Sequence, residues 1–319
     1  MARILSRTGN RPGAVISPQP LPPARTGAAL LSVVSNSTLI LLKFIAGALT
    51  GSVAILTEAL HSSIDLIASV VALFSVRKAG EPADEDHRYG HEKIENLAAA
   101  IEGMLILVGS GVIVFEAIRH LVSNTRIDTL GVGIGVIAFS AVANLGVSTF
   151  ISRRARQTDS AALEADAAHL RTDALTSAGV LVGLVLVQVT GENWIDPVVA
   201  LMVGVAIVAS GLRIIRSSSR VLVDEALPPD ELEAIRGAVL GFGSHGIAGF
   251  HNLRTRRAGT QRYIDMHVQF RSGTTLEDAH RTAHELQDEI GKRLRGADVL
   301  IHLEPEDRVR PGTEVPREP

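Results

Sequence analysis

Apolar residues along the chain gather into six long blocks between residues 28 and 216, each close to the length a helix needs to cross a bilayer. A hydrocarbon core of roughly 30 Å takes about 20 helical residues. The pattern predicts membrane-spanning helices at about 28–50, 53–77, 94–119, 129–152, 162–189 and 195–216. Three contain plainly apolar runs, Leu97 to Ile118, Leu130 to Ile151 and Pro197 to Ile215. The other three carry polar groups that lipid tolerates poorly: Asn36 and Lys43 in the first, Glu58, His61 and Asp65 in the second, and Asp166, His169 and Asp173 in the fifth. Those faces must turn toward protein or water.

From about Pro228 the apolar runs shorten and charge rises. Leu232, Ile235, Val239 and Leu240 give one helix a buried face. Residues 247–257 and 260–270 read as strands, the second alternating Ile264, Met266, Val268 and Phe270 with Tyr263, Asp265, His267 and Gln269. Leu276, Ala279, Ala283, Leu286, Ile290 and Leu294 mark a second helix, and 298–303 a last strand. The expected fold is therefore an all-α six-helix transmembrane bundle over residues 28–217, followed over 226–306 by a small α+β domain of order α-β-β-α-β. Residues 1–27 carry Arg3, Arg7, Arg11 and Arg25 among prolines, without an acid, and read as a disordered basic tail with no signal-peptide core. Residues 307–319 read as a loose C-terminal tail.

Composition narrows the class. A mean hydropathy of +0.25 with only 20% charged residues makes lipid a major solvent. The net charge of -3, with no stripe of arginines to follow phosphates, argues against a nucleic-acid partner. The chain has no cysteine, which excludes disulfides and thiolate sites and leaves His, Asp and Glu for transition-metal chemistry. Basic residues concentrate in the N-terminal tail, the second-to-third loop (Arg77, Lys78, Arg88), the fourth-to-fifth loop (Arg153, Arg154, Arg156) and the exit of the sixth helix (Arg213, Arg216, Arg220). The positive-inside bias puts both termini of a multi-pass protein in the cytoplasm, with Trp194 as an interfacial anchor on the far side, and the cell's inner membrane is the expected location.

The chemistry concentrates in a repeated spacing. His61 and Asp65 in the second helix, and His169 and Asp173 in the fifth, each form H-x-x-x-D. That spacing puts a pair on one helical face, about 6 Å apart along the axis, so two packed helices can converge four ligands. Two imidazole nitrogens and two carboxylate oxygens suit a tetrahedral Zn²⁺, and two carboxylates balance one divalent cation at mid-membrane. Two further groups lie outside the membrane. Asp84, His87 and His91 form either a looser metal site or an ordinary solvated loop. The soluble domain offers His251, His267, His280, His284, His302 and Glu304, of which His302 and Glu304 share a strand face.

The run N-x6-K-x3-G from Asn36 with G-S-V-A-I-L-T-E-A-L-H-S-S-I-D after it, the loop H-R-Y-G-H-E-K-I-E, the stretch E-A-D-A-A-H-L-R-T-D and the H-N-L-R-T-R-R of His251 to Arg257 occur in the order seen in one family. Over roughly residues 28–306 the chain resembles the cation diffusion facilitator metal transporters, of the bacterial zinc- or iron-efflux type. The resemblance implies a homodimer whose ferredoxin-like cytoplasmic domains pair, and a transport site of His61, Asp65, His169 and Asp173. It also implies a loop site of Asp84, His87 and His91, and cytoplasmic metal ligands His251, His267, His280, His302 and Glu304. Glu304 stands where some bacterial members have Asp, which leaves the geometry of that site open, and His61 stands where other members have Asp, a difference that in the family pattern favours zinc.

The expected function is export of a divalent transition metal, Zn²⁺ first and Fe²⁺, Mn²⁺, Co²⁺ or Cd²⁺ as alternatives. Protons are the expected coupling ion, since an emptied pair of carboxylates in low dielectric takes up protons on its return. Zn²⁺ is also the expected ligand of the cytoplasmic domain. Two other classes compete. A metalloprotease would need H-E-x-x-H, but His91-Glu92 ends in Glu95 and His284-Glu285 in Asp288. A membrane-anchored metal sensor would have no need of paired H-x-x-x-D in two helices.

Overall fold

The computed structural model describes residues 23–50, 53–123, 131–192 and 194–316, with several side chains in these ranges, His61 and Glu58 among them, left undescribed. Six long helices come first: α1 (Pro23–Thr50), α2 (Val53–Ala79), α3 (Lys93–Ser123), α4 (Gly131–Thr158), α5 (Ala161–Thr190) and α6 (Ile195–Leu222). Among the described residues, four of them, α1, α3, α5 and α6, contain runs long and apolar enough to cross a membrane. The 31 residues of α3 rise about 46 Å at 1.5 Å each, so helix ends overhang the hydrocarbon core and place Lys93 and Glu95 at its margin.

Lipid cannot drive apolar helices together, so close packing must. Large side chains such as Phe74, Val108, Phe115, Val142 and Val205 point outward, whereas alanines, serines and glycines fill the interior. The α3–α6 contact is built on Gly103 and Gly211; a Cβ at Gly103 would sit 2.8 Å from Ile215 Cγ1, and one at Gly211 3.2 Å from the Gly103 carbonyl. Polar groups tie the other helices. Ser32 of α1 and Ser69 of α2 both reach Asp166 Oδ1 of α5, at 3.0 and 3.1 Å, and Asn36 donates to Ser69 at 2.7 Å. Lys43 donates to Ser62 at 2.7 Å.

Two corrections concern the chain ends. Helix α1 begins at Pro23, so Arg25, assigned above to a loose tail, is helical and 2% exposed. Its guanidinium pairs with Glu95 at 3.0 Å and donates to the Thr158 carbonyl, and Ser160, the N-cap of α5, donates to the other Glu95 oxygen. A buried arginine needs such partners. The expected tail over residues 1–22 lies outside the described residues.

The second domain comprises α7 (Pro229–Leu240), β1 (Ile247–Ala258), β2 (Gln261–Phe270), α8 (Leu276–Arg293) and β3 (Ala297–Pro305). The sheet order is β1-β2-β3, antiparallel for the first pair and parallel for the second. Thr275 caps α8 by accepting from the Asp278 amide. One sheet face packs against both helices through Ile264, Met266 and Val268, with Ile235, Val239, Leu286 and Ile290. Leu276, one of the apolar residues that mark this helix in the sequence, is exposed at the first turn of α8. The chain beyond residue 306 is not loose up to residue 316. Phe250 donates to the Thr313 carbonyl and Val315 to that of Ala248, while the Val315 side chain enters the core. β1 would otherwise be an open edge with unpaired backbone groups, and the C-terminal segment covers it. The approach is close enough that Gly249 has no room for a side chain, a Cβ there falling 2.8 Å from Thr313 O.

Candidate metal centres

Three clusters of His and carboxylate side chains converge in the described residues, each with ligand atoms within 4.8 Å of one another. The first is inside the membrane domain. Asp65 of α2 and His169 of α5 are buried, with His169 Nε2 3.2 Å from Asp65 Oδ1, and Asp173 one turn further along α5 completes the group. The i,i+4 spacing does this on α5, and the Ser32–Ser69–Asp166 hydrogen bonds one turn below hold α1, α2 and α5 in register. His61 occupies α2 one turn before Asp65, but its side chain lies outside the described residues.

The second cluster sits in the loop between α2 and α3. Asp84 Oδ1 lies 3.2 Å from His87 Nδ1, Asp84 Oδ2 lies 3.2 Å from His91 Nε2, and the two rings are 4.5 Å apart. The backbone amide of His87 donates to Asp84 and holds its carboxyl below the usual range. His91 is 3% exposed, yet neither ring nitrogen has an aligned hydrogen-bond partner, the approach of Asp84 included. A buried imidazole left in that condition is ready to accept a cation.

The third cluster lies on the open face of the cytoplasmic sheet. His251 pairs laterally with His267, and His267 with His302, so three strands bring three imidazoles into one row. Glu304 Oε1 is 2.7 Å from His267 Nδ1, and Oε2 is 3.4 Å from His251 Nε2. His302 Nε2 stands 4.0 Å from Glu304, with its ring 4.7 Å from that of His267. Gln269, absent from the sequence-derived set, donates to Glu304 at 2.7 Å and lies 3.2 Å from His251 Nδ1. Its signal was available: His267-x-Gln269 repeats on β2 the period-two spacing of His302-x-Glu304 on β3. Burial opposes ionisation of Glu304, but the Gln269 amide and His267 outweigh it and hold the carboxyl below its ordinary value. His280 is not brought to this group within one protomer; it lies exposed on α8, its Nε2 3.2 Å from His284 Nε2.

The loop and the cytoplasmic domain are joined between these clusters. Glu92, next to His91, accepts from the Thr260 amide at 2.7 Å, and Gly259 must be glycine because a Cβ would meet the Glu92 carboxylate at 2.3 Å. Arg256 stacks over both Tyr89 and Tyr263 at 4.7 and 4.8 Å. Lys93 binds Asp224 at 2.7 Å within the same chain, with Arg256 3.6 Å from the other oxygen, and this holds the Asp224 carboxyl below its usual value.

Acid and imidazole buried among membrane-crossing helices, beside a soluble domain with a cluster of its own, define a membrane protein built to handle cations. Comparison with known proteins makes this specific. Residues 29–223 match the cation efflux transmembrane domain and residues 227–306 the cation efflux protein cytoplasmic domain. An uncharacterized transporter of Synechocystis sp. is 36% identical over 277 residues, 87% of this chain and 89% of that protein. The cation-efflux pump FieF of Yersinia pestis is 38% identical over 279 residues, 87% of this chain and 92% of the relative. A solved structure of the zinc form of CzrB is 36% identical over 27% of this chain and 98% of that one, with a TM-score of 0.26. The chain belongs to the cation diffusion facilitator family. It is a multi-pass cation efflux transporter with a cytoplasmic C-terminal domain, and not an enzyme. Glu95, the last position of the failed H-E-x-x-H, is committed to Arg25 and Ser160.

Proposed function

We propose that the protein exports Zn²⁺ from the cytoplasm, binding it as substrate with His61, Asp65, His169 and Asp173 and exchanging it for protons as the bundle alternates between inward-open and outward-open states. The observation that carries this is the convergence of Asp65, His169 and Asp173 within 4.8 Å, on two helices of the membrane domain. Two carboxylates and one divalent cation sum to zero, which removes most of the cost of charge in low dielectric. With the cation released, the same atoms are stabilised by protons, so metal and protons compete for one site. Imidazole with carboxylate favours zinc over harder ions such as Mn²⁺, and among Fe²⁺, Co²⁺ and Cd²⁺ the choice is decided by flux.

The loop trio Asp84, His87 and His91, and the sheet cluster of His251, His267, His302 and Glu304, are proposed as cytoplasmic zinc sites. Support comes from buried His91, whose Nε2 lies 3.2 Å from Asp84 Oδ2 without an aligned hydrogen bond, and from three imidazoles in one row around Glu304. The transporter works as a homodimer paired through its cytoplasmic domains, in the inner membrane, with both termini in the cytoplasm. His280, exposed on α8, would serve a site completed by the second subunit.

Proteoliposomes test the proposal. An imposed pH gradient should drive Zn²⁺ flux, Asp173→Ala should abolish it, and a protein lacking residues 226–319 should retain part of it. Flux indifferent to pH removes the proton coupling. Flux lost on the truncation and kept in Asp173→Ala favours a sensor with its helices as anchor.

A further inference from the structure

Glu102 of α3 has no role in any cluster described so far. It is 0% exposed, and neither carboxylate oxygen has a hydrogen-bond partner. Its electrostatic neighbours are Asp166 and His169 of α5. Asp166, also 0% exposed, spends Oδ1 on the Ser32 and Ser69 hydroxyls and leaves Oδ2 without a partner. Two buried acids with three unsatisfied oxygens therefore lie within each other's electrostatic reach, an arrangement that is unfavourable unless a positive charge or protons join them.

Their position gives the arrangement a direction. A cavity of about 340 Å³ lies where the membrane domain meets the cytoplasmic domain, lined by Glu95 and Asn96 of α3, Ala161 and Ala165 of α5, Ser218 of α6, and Arg257 of β1. Asp166 follows Ala165 directly, and Glu102 lies six residues beyond Asn96. His169 comes one helical turn after Asp166, about 4.5 Å further from the cytoplasm. Cavity lining, Asp166 and transport ligands thus succeed one another along α5, with Glu102 following the cavity lining on α3.

Resting on the transport reading above, we propose that Glu102 and Asp166 form a receiving station for the divalent transition-metal ion, between the cytoplasmic cavity and the transport site. The ion meets carboxylate and hydroxyl oxygens there, from Glu102, Asp166, Ser32 and Ser69. Oxygen donors hold a borderline cation less tightly than the imidazole that follows, so donor chemistry itself passes the ion forward.

Zn²⁺ flux of the full-length protein in proteoliposomes, measured against zinc concentration and pH, tests the station. Glu102→Gln keeps the shape and removes one anion. It should raise the apparent KM for Zn²⁺ about tenfold and leave the maximal rate within about twofold, the signature of lost capture with the transport step intact. Glu102→Asp should recover part of that loss. If Glu102→Gln fails to reconstitute, Glu102→Asp by itself should still show a KM raised above wild type. A wild-type KM overturns the station, and so does a wild-type KM with a displaced pH profile, which makes Glu102 a proton carrier. Asp173→Asn separates the two levels: if it transports, the transport site itself is misassigned, whereas if it is inactive and Glu102→Gln has a wild-type KM, only the station fails.

Discussion

Gln269 shows how much a single amide contributes in the cytoplasmic domain. It aims its Nε2 at Glu304 and lies beside His251, so it orients two candidate ligands at once. Outer partners of this kind are worth roughly 10- to 100-fold in metal affinity. Gln269→Leu should weaken zinc binding at that site at least about tenfold by chelator competition, with the domain still folded. Asp224 allows a test of sign. Its hydrogen bond to Lys93 depresses the carboxyl below the ordinary 3.8. A group with a lowered folded-state value stabilises the protein above the unfolded value and loses that contribution as pH falls through the folded one. The thermal stability difference between wild type and Asp224→Asn should therefore be present at neutral pH and shrink as pH falls below 3.8. Because the pair is partly exposed, the difference is on the order of 1 kcal/mol or less.

The α3–α6 pair depends on two glycines in opposition, which leaves no space for a branched side chain. Gly103→Leu should cost about 1–3 kcal/mol through overpacking, seen as a lowered unfolding midpoint in detergent, while Gly109→Leu, where a Cβ meets nothing, should not. Gly259→Val combines a strained positive φ with a clash against Glu92, and should release the α2–α3 loop from the β1–β2 turn. Faster hydrogen exchange across residues 84–93 is the readout. The cytoplasmic elements were legible because period-two and period-3.6 patterns separate strands from helices. The docking of residues 313–315 was not, since Thr313, Glu314 and Val315 add to the sheet by backbone hydrogen bonds that need no apolar alternation. Arg25 misled for a similar reason. The prolines and arginines that precede it suggest disorder, and only the distant Glu95 and Thr158 explain its burial.

Across the whole molecule, one chain places a cluster in the membrane, a second in a cytoplasmic loop and a third on a soluble sheet. The two H-x-x-x-D spacings made the first readable before any fold was known, because i,i+4 neighbours share a face on any helix. The third needed cross-strand register. His302 and Glu304 share a strand, but only the pairing of β1, β2 and β3 sets His251 and His267 beside them. Glu102 needed the packing itself, since one acid in an apolar helix does not disclose which helix it faces. Zinc-edge anomalous density from the full-length protein bears most directly on all of this. Zinc should appear bonded at roughly 2.0–2.2 Å to Asp65, His169 and Asp173. Zinc carried by the protein while those three side chains stay free of it in both inward-open and outward-open states would contradict the assignment.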